Sequence, residues 1–371
     1  MSKLKLLIYI FTFLLLTGCE KHIIDKLGMF DAVGYDLSED KEKPFTVTVN
    51  FPSVTKQGEF QNKILSTDAK SSKDSRIRFN HMSNLKLVSG QISLALFGED
   101  MAQVGVKDIL DTFMRDPSLG PRVFFAVSEG NAKDLLLFQP KEGTNSSLYL
   151  RTFVEKLNAQ NERVNYNSYQ FIRDFYDDGI DPILPYFKIH NHNISIDGYA
   201  IFKDDKYIHH LPSHESAILF ALRDDTKKGT LSIEMPKSDD KQGSFQDQLM
   251  FNYRKTKQKM DVHNKRNGAI SVDIQIEMEG SVLEYSGEKN LNKAKVQKEL
   301  EKEINEKLIK QSQNLINLTK ELKVDPIGIG SHIRNSMSYE KWKKLSWEEV
   351  YPNVDVNVSI EMNFMDIGQS K

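Results

Sequence analysis

The chain begins with an export signal that ends at its only cysteine. A short basic start at residues 2–5 precedes an apolar run of eleven residues, 6–16, and two small residues then lead to Cys19. A bilayer core needs about 20 consecutive apolar residues, so this run is too short to span it. The order of basic, apolar and small segments therefore predicts a cleaved signal peptide over residues 1–18.

The four residues Leu16-Thr17-Gly18-Cys19 have the form of a bacterial lipobox, in which the cysteine is acylated and becomes the mature N-terminus. A stray cysteine behind an ordinary signal peptide is the alternative. Because no second cysteine exists, Cys19 cannot form an internal disulfide. Each buried CH₂ of an attached lipid contributes about 0.8 kcal/mol, and stable anchoring needs more than one chain. We therefore predict that Cys19 is the lipidation site and that the lipid bilayer is a partner, on the extracytoplasmic face of the membrane.

An exported chain without a disulfide must be stabilised by packed cores. Removal of 18 residues from 371 leaves 353, a length that suggests two or three domains. Hydrophobic residues make up 39% of the chain, with 21 Phe and 13 Tyr for the cores. The formal net charge is only -2, so global charge does not recruit nucleic acid or an anionic membrane surface.

The first part of the mature chain, residues 19–190, predicts an α/β domain. Residues 45–51 alternate between apolar and polar side chains, which is typical of a half-buried strand. Residues 123–127, VFFAV, predict a buried strand, and a helical start follows them. A buried strand followed by a helix is the pattern of a sheet covered by helices. We place the main domain boundary near residue 190.

The second part, residues 191–371, predicts a largely antiparallel sheet with one face in water, with a further subdivision of this domain as the alternative. Long period-two strands and one long amphipathic helix dominate it. The helix is expected to lie across its own sheet, with a coiled-coil partner as the alternative. A second helix is expected to carry both tryptophans, and the last strand is expected to pair centrally. The expected elements are a hairpin with a charged turn at 203–206, the long helix at 290–324, the tryptophan helix at 338–351 and the final strand at 354–365. The fold class is thus α+β or mixed α/β, multi-domain, with mixed and antiparallel sheets flanked by helices.

Catalytic motifs are absent from the sequence. There is no phosphate-binding G-x-x-x-x-G-K-[ST], no H-E-x-x-H and no G-x-S-x-G. Acidic pairs such as Asp177-Asp178 and Asp204-Asp205 are interpreted as solvated turns. We therefore predict a protein without enzymatic activity, catalytic residues or cofactors.

One histidine-rich segment offers a weak metal site. Imidazoles are good zinc ligands, but no acidic residue or cysteine stands in a fixed ligand pattern with these, and Pro212 interrupts the helical register. The favoured interpretation is surface histidines, with zinc binding and a zinc-dependent hydrolase as the minor alternative. The weak candidates are His190, His192, His209, His210 and His214.

Several segments, in this order and spacing, resemble the Ger(x)C family, the lipoprotein C subunits of bacterial spore nutrient-germinant receptors. The likeness covers essentially the whole chain from the lipobox cysteine onwards. The segments are IDKLGMFDAVGYDL (24–37), ILDTFMRDP (109–117), EGNAKDLLL (129–137), DGIDPILPYFKI (178–189), ISIDGYAIFKDDK (194–206), DPIGIG (325–330) and WKKLSWEEVYP (342–352).

The resemblance implies a non-enzymatic, membrane-anchored receptor subunit required for spore germination. Its implied partners are the membrane-embedded A and B subunits of a germinant receptor, and its implied place is the outer face of the spore's inner membrane. The family's α/β fold of several domains agrees with the pattern of strands and helices. The alternative function is a solute-binding lipoprotein that presents a small molecule to a membrane transporter; such proteins have two similar lobes, whereas the two halves here differ in strand pattern.

Overall fold

The computed structural model describes residues 27–54, 60–139, 146–159, 167–191, 193–223, 228–235, 248–264 and 269–367. The predicted signal peptide, Cys19 and His192 lie outside the described residues. None of the helices within the described ranges is both long enough and apolar enough to cross a membrane.

The first part of the chain builds a mixed sheet of eight strands, with a separate two-stranded parallel pair beside it. Its strand order is β10-β9-β8-β7-β6-β2-β3-β4, and the pair is β1-β5. The four central strands are parallel, whereas the strands at both ends pair antiparallel. The strands are β1 (Leu27–Met29), β2 (Ala32–Leu37), β3 (Phe45–Val54), β4 (Phe60–Ala69), β5 (Lys86–Val88), β6 (Leu94–Gly98), β7 (Phe124–Ser128), β8 (Ile183–His190), β9 (Asn193–Lys203) and β10 (Lys206–Pro212).

Helices cover both faces of this sheet. Phenylalanines and aliphatic side chains of α1, α2, α3 and α6 form one core with the first face, and α4 and α5 form a smaller core with the second. Parallel strands need such crossover connections, which place helices on the faces. The helices are α1 (Ser72–Met82), α2 (Glu99–Val104), α3 (Lys107–Arg115), α4 (Ala132–Leu137), α5 (Ser146–Ala159) and α6 (Ser168–Tyr176).

The predicted half-buried strand is found as β3, but it is buried on both faces. Val47 and Val49 face the first core, as the alternation predicts. Thr48 and Asn50, predicted to face water, are fully buried because helices also cover the second face. Thr48 shares a 3.0 Å hydrogen bond with the Ser66 hydroxyl. The alternation therefore predicted the strand correctly, but the prediction that its polar side faces water was wrong.

The eight-stranded sheet continues past residue 190. β8 pairs antiparallel with β9, and β9 pairs antiparallel with β10, so the chain from 183 to 212 forms one edge of the first sheet. The turn between β9 and β10 contains Asp204 with φ of +53°. The division into residues 19–190 and 191–371 stays a prediction about folding units, and in the structure the hairpin of 193–212 pairs with the first sheet.

The second part of the chain builds a four-stranded sheet in the order β11-β12-β13-β14. The buried residues of β13 recur at every second position from 272 to 278, and the intervening residues face water. This confirms the predicted half-wet sheet. The strands are β11 (Gly229–Glu234), β12 (Gln248–Asn264), β13 (Ile270–Tyr285) and β14 (Asp355–Ile367), and the helices of this part are α7 (Ser213–Arg223), α8 (Ala294–Glu321) and α9 (Ile329–Asn335).

The prediction that the final strand pairs centrally is wrong. β14 is strongly alternating, as predicted. Among the described strands it pairs with β13 alone, in parallel, and so lies at the edge of the sheet. Side chains of α8 occupy its free edge: Asn305 accepts the N–H of Met362 at 3.0 Å, and Glu301 accepts the N–H of Phe364 at 2.8 Å. An unpaired edge is a template for unwanted strand pairing, and here a helix satisfies part of it.

The long amphipathic helix is confirmed as α8, shorter at both ends than predicted. Its 28 residues span about 42 Å at 1.5 Å per residue. Its seam, which includes Leu300, Ile304, Leu308 and Leu315, packs into the core of the second sheet. The helix therefore lies across its own sheet, as expected.

The predicted tryptophan helix is instead two separate turns, α10 (Tyr339–Trp342) and α11 (Trp347–Val350). Residues five apart on a continuous helix point about 140° away from each other. The break between the turns lets the rings of Trp342 and Trp347 lie side by side, with centroids 5.7 Å apart. The packing of the two rings against each other therefore outweighs helix continuity.

The core of the second sheet includes residues of the first. Ile183, Tyr199, Ile201 and Leu211, on β8, β9 and β10, pack in the same cluster as α7, α8 and the four-stranded sheet. The two sheets are thus joined through continuous apolar packing.

Candidate functional site

Two segments that are far apart in the sequence meet where the two sheets join. We call this region the junction: residues 177–182, between α6 and β8, and residues 325–331, between α8 and α9. Two backbone hydrogen bonds cross it, from Asp181 N–H to Asp325 O at 2.9 Å and from Ser331 N–H to Gly179 O at 2.9 Å. Both segments belong to those that resemble the Ger(x)C family.

Asp325 organises its side of the junction. Its carboxylate accepts the backbone N–H groups of Gly328, Ile329 and Gly330 at 2.8, 3.1 and 2.7 Å. These donors lie at the start of α9, where backbone N–H groups have no partner within the helix. The carboxylate therefore caps α9 and fixes the loop that precedes it. Asp325 is 1% exposed.

A second carboxylate lies next to the first. Asp181 accepts the N–H of Asp325 at 2.6 Å, and Lys203 lies 3.8 Å from its other oxygen. Burial raises the pKa of Asp325 to about 7, against the lowering effect of its three N–H donors, and the neighbouring Asp181 charge raises it further. Burial also raises the pKa of Asp181, which Lys203 partly offsets. The junction thus holds two carboxyl groups that burial makes costly to ionise.

Tyr351 lies against the same group of carboxyls. Its hydroxyl shares a 2.7 Å hydrogen bond with the hydroxyl of Thr319 on α8, and the residue is 1% exposed. Burial raises the pKa of this phenol, and the charge on Asp325 raises it further. The phenol is therefore a neutral hydrogen-bonding partner.

Arginines clamp the junction from two sides. Arg334 of α9 pairs with the Asp177 carboxylate and donates to the carbonyl of Asp178 at 2.6 Å. Arg223 of α7 pairs with Asp174, which is 1% exposed, and donates to the carbonyl of Pro326 at 3.1 Å. Guanidinium forks suit such bridging between carboxylates and carbonyls. Arg223 therefore connects α6 to the second part of the chain, and Arg334 does the same for the loop that follows α6.

Glycines let the two backbones approach closely. A Cβ on Gly179 would lie 2.5 Å from the carbonyl carbon of Gly330, and Gly179 has φ of +94°. A Cβ on Gly330 would lie 2.5 Å from Cε2 of Trp347, whose indole packs on this glycine. Among the described residues the buried Nε1 of Trp347 has no hydrogen-bond partner.

An open groove of about 340 Å³ lies beside the junction. Ligand pockets have volumes of about 300–1,000 Å³, so the groove is large enough for a side chain or a small molecule. It lies between the end of α6, the β9–β10 turn and the tryptophan-bearing turns. Its lining is aromatic and acidic: Asp174, Phe175, Asp177, Asp178, Gly179, Ile180, Asp181, Pro182, Lys203, Asp204, Tyr339, Trp342, Lys343, Leu345, Trp347 and Glu348.

The weak metal candidates do not come together in the described structure. His190 ends β8 and is exposed, whereas His209 and His210 are neighbours on β10. His210 Nε2 is 3.1 Å from the Asp197 carbonyl oxygen, and burial lowers the pKa of His209. His214 is exposed at the start of α7. Within the described residues, no three His, Cys, Asp or Glu side chains form a group that could hold a metal ion.

Sequence reasoning missed the junction and the groove. It interpreted Asp177, Asp178 and Asp204 as solvated turn residues. Asp178 and Asp204 are indeed exposed, but Asp177 pairs with Arg334, and all three residues line one groove. A usable signal was the Asp-Pro dipeptide, which occurs at 116–117, 181–182 and 325–326, each time with a glycine nearby. Aspartate, proline and glycine are common in turns, yet nothing local indicates which two of these turns face each other.

Comparison with known proteins assigns most of the chain to a family. Residues 20–189 match the family described as spore germination protein N-terminal domain, and residues 197–368 match the family described as spore germination B3/GerAC like, C-terminal. The second match begins within β9, so it includes most of the hairpin that pairs with the first sheet. The protein is therefore a spore germination protein with the two-part architecture of these families.

Individual relatives agree with this class. The chain is 25% identical to spore germination protein GerQC of Bacillus cereus over 95% of this chain and 96% of that protein. It is also 25% identical to putative spore germination protein YfkR of Bacillus subtilis (strain 168), over 71% of this chain and 68% of that protein. The crystal structure of the GerBC protein has the same fold, with a TM-score of 0.55, 18% identity and coverage of 90% of this chain and 97% of that one. The chain belongs to the Ger(x)C spore germination family.

Proposed function

We propose that this protein is a lipid-anchored, non-enzymatic subunit of a spore nutrient-germinant receptor and is required for germination. The observation that carries the proposal is the pair of family matches, which together run from residue 20 to residue 368. Its partners in the proposal are the membrane-embedded A and B subunits, on the outer face of the spore's inner membrane. Spores that lack this gene and any sister copy should then fail to germinate with at least one nutrient. Normal germination with every nutrient tested would contradict the proposal.

The anchor in this proposal is an acyl group on Cys19. Cys19→Ala should block acylation and release an otherwise folded protein from the membrane, because the rest of the chain has no other proposed attachment to lipid. The measurement is fractionation of membranes stripped of partners with salt, with the unchanged chain as the control. Retention of the variant in the membrane fraction after stripping would contradict the lipid anchor.

Partner binding is tested with the tagged full chain in detergent-solubilised spore membranes. The membrane-embedded A and B subunits should be recovered with it in constant proportion. Recovery of the tagged chain without either subunit, under conditions that keep A and B together, would refute the assignment as a receptor subunit.

The two dissimilar sheets support a surface-presenting role over the solute-binding alternative. Solute-binding proteins close two similar lobes over a cleft, whereas here a mixed eight-stranded sheet is joined to a four-stranded sheet. The shared apolar core around β8–β10 also opposes hinge closure between the sheets. Calorimetric titration with amino acids and sugars should give no tight binding to this chain.

A further inference from the structure

The groove beside the junction has the lining of an interaction site. Four aromatic side chains contribute to it, and Tyr339 on its rim is 66% exposed. Tyrosine and tryptophan are enriched at the energetic centres of protein interfaces. Tyr176, which packs on the groove residue Phe175 with ring centroids 4.8 Å apart, is 63% exposed. The aromatic surface therefore continues beyond the groove.

Unpaired negative charge distinguishes this groove from the adjoining junction. Six carboxylates and two ammonium groups line it. Three of the carboxylates have cationic partners: Asp174 pairs with Arg223, Asp177 pairs with Arg334, and Asp181 lies near Lys203.

The other three carboxylates, those of Asp178, Asp204 and Glu348, are exposed and have no ion pair with a described residue. Lys343 is the cation of the lining that has no ion pair with a described residue. The groups without an ion pair are therefore three carboxylates and one ammonium, so the groove carries a net negative charge.

We propose that this groove docks a basic segment of a partner protein, with a lysine or arginine side chain held against the aromatic rings by the three unpaired carboxylates. A cation near an aromatic face is attracted by the ring quadrupole, and the carboxylates add direct charge attraction. The partner's existence rests on the proposed function, whereas the groove's preference for a cation rests on its own lining.

A protein segment fits the groove better than a free small molecule does. Small-molecule sites bury most of their ligand, about 70–90% of its surface. Here all three unpaired carboxylates and Tyr339 are exposed, so the groove is open on one side. A side chain that arrives on a peptide backbone needs no full enclosure, because contacts along the rim hold the backbone.

The chain provides its own probe for this groove. Its two tryptophans, Trp342 and Trp347, both line it, so intrinsic tryptophan fluorescence reports on the groove and on its immediate surroundings. The full-length protein in a nonionic detergent is titrated with a glycine-serine peptide that carries two arginines. The matched peptide has citrulline at both positions, which keeps the shape and removes the charge. Free arginine forms a third titration.

The expected result is a saturable fluorescence change with the arginine peptide, weakened by added salt because the charges are exposed. Exposed charge pairs contribute little each, so Glu348→Gln should weaken binding about threefold, and adding Asp178→Asn and Asp204→Asn should weaken it about tenfold or more. Glu349→Gln is the matched control, since Glu349 is the next residue on α11, is exposed and does not line the groove.

Four outcomes would overturn the proposal. The first two are a citrulline peptide that binds as tightly as the arginine peptide, and a Glu349→Gln variant that loses as much affinity as Glu348→Gln. The third is the absence of any change in tryptophan fluorescence. The fourth is free arginine that binds as tightly as the arginine peptide, which would make the groove a small-molecule site. Each of these can occur while the tagged chain still recovers A and B subunits from membranes. Failure of the docking proposal is thereby distinguished from failure of the proposed function.

Discussion

Gly179 lies where the two halves of the junction come closest, and replacing it by alanine tests how tightly the sheets are joined. The residue has φ of +94°, a conformation that costs an L-residue about 1–2 kcal/mol. The new Cβ would also lie 2.5 Å from the carbonyl carbon of Gly330 and 2.7 Å from the nitrogen of Ser331. These are backbone atoms, so relief requires the two segments to separate.

The expected loss follows from these two effects. Overpacking of a close contact typically costs about 1–3 kcal/mol, so Gly179→Ala should lower the free energy of unfolding by about 2–5 kcal/mol in total. Total stabilities are about 5–15 kcal/mol, so the loss is large but leaves a folded protein at the lower estimate. The measurement is urea unfolding of the full-length protein, followed by tryptophan fluorescence at the junction and by circular dichroism for the whole chain.

Gly130 provides a matched control. It has φ of +64°, and a Cβ there would meet nothing within 4 Å. Gly130→Ala therefore carries the conformational cost alone, about 1–2 kcal/mol. The difference between the two alanine variants isolates the close approach at the junction. Equal losses in the two variants would refute the reasoning.

Three further substitutions test other contacts. The pKa of Asp325 is about 7 in the folded protein, against an ordinary value of 3.8. Between these two pH values the carboxyl is protonated in the folded state and ionised in the unfolded state. The free energy of unfolding therefore falls as the pH rises from about 4 to 7. Asp325→Asn should therefore flatten the dependence of the unfolding free energy on pH between 4 and 7; an unchanged slope in urea titrations would contradict this. Asn305→Ala removes the acceptor of the Met362 N–H and should cost about 1 kcal/mol, measured by thermal unfolding. Tyr351→Phe deletes the buried hydroxyl bonded to Thr319 and should cost about 1–2 kcal/mol in urea unfolding.

In the Asp325→Asn variant Asp181 keeps a residual pH slope, because burial raises its pKa too. The other two variants each have a control in the same chain. Asn317→Ala changes an exposed residue of α8, and Tyr339→Phe removes an exposed hydroxyl. Losses in these controls as large as in the test variants would show that the proposed contacts carry no special stability.

Local pattern in the sequence predicted most of the individual elements. The alternation of β14, the apolar seam of α8 and the hairpin with its turn at 203–206 are all present. These features depend on which side of an element is apolar, and that information lies within a short stretch of chain.

The neighbour of each strand and the tertiary contacts of each element were less predictable from the sequence. The same alternation that identified β14 is compatible with a central or an edge position, since it reports which face is buried and not which strand lies beside it. Likewise, Thr48 and Asn50 are polar, but helices contributed by residues 132–159 bury them. The tryptophan segment broke into two turns because its two rings pack together, a tertiary contact that overrides local helix propensity.

The sequence by itself indicated the family and the type of nearly every long element, and it predicts an export signal with an anchor at Cys19, because each of these depends on residues that are close along the chain. Only the tertiary structure placed Asp181 beside Asp325 and gathered Asp178, Asp204 and Glu348 around one aromatic groove. Those contacts join residues between 26 and 170 positions apart, where the sequence carries no local signature. They form only when two sheets pack through a shared core, and the packing of that core decides which turns face each other.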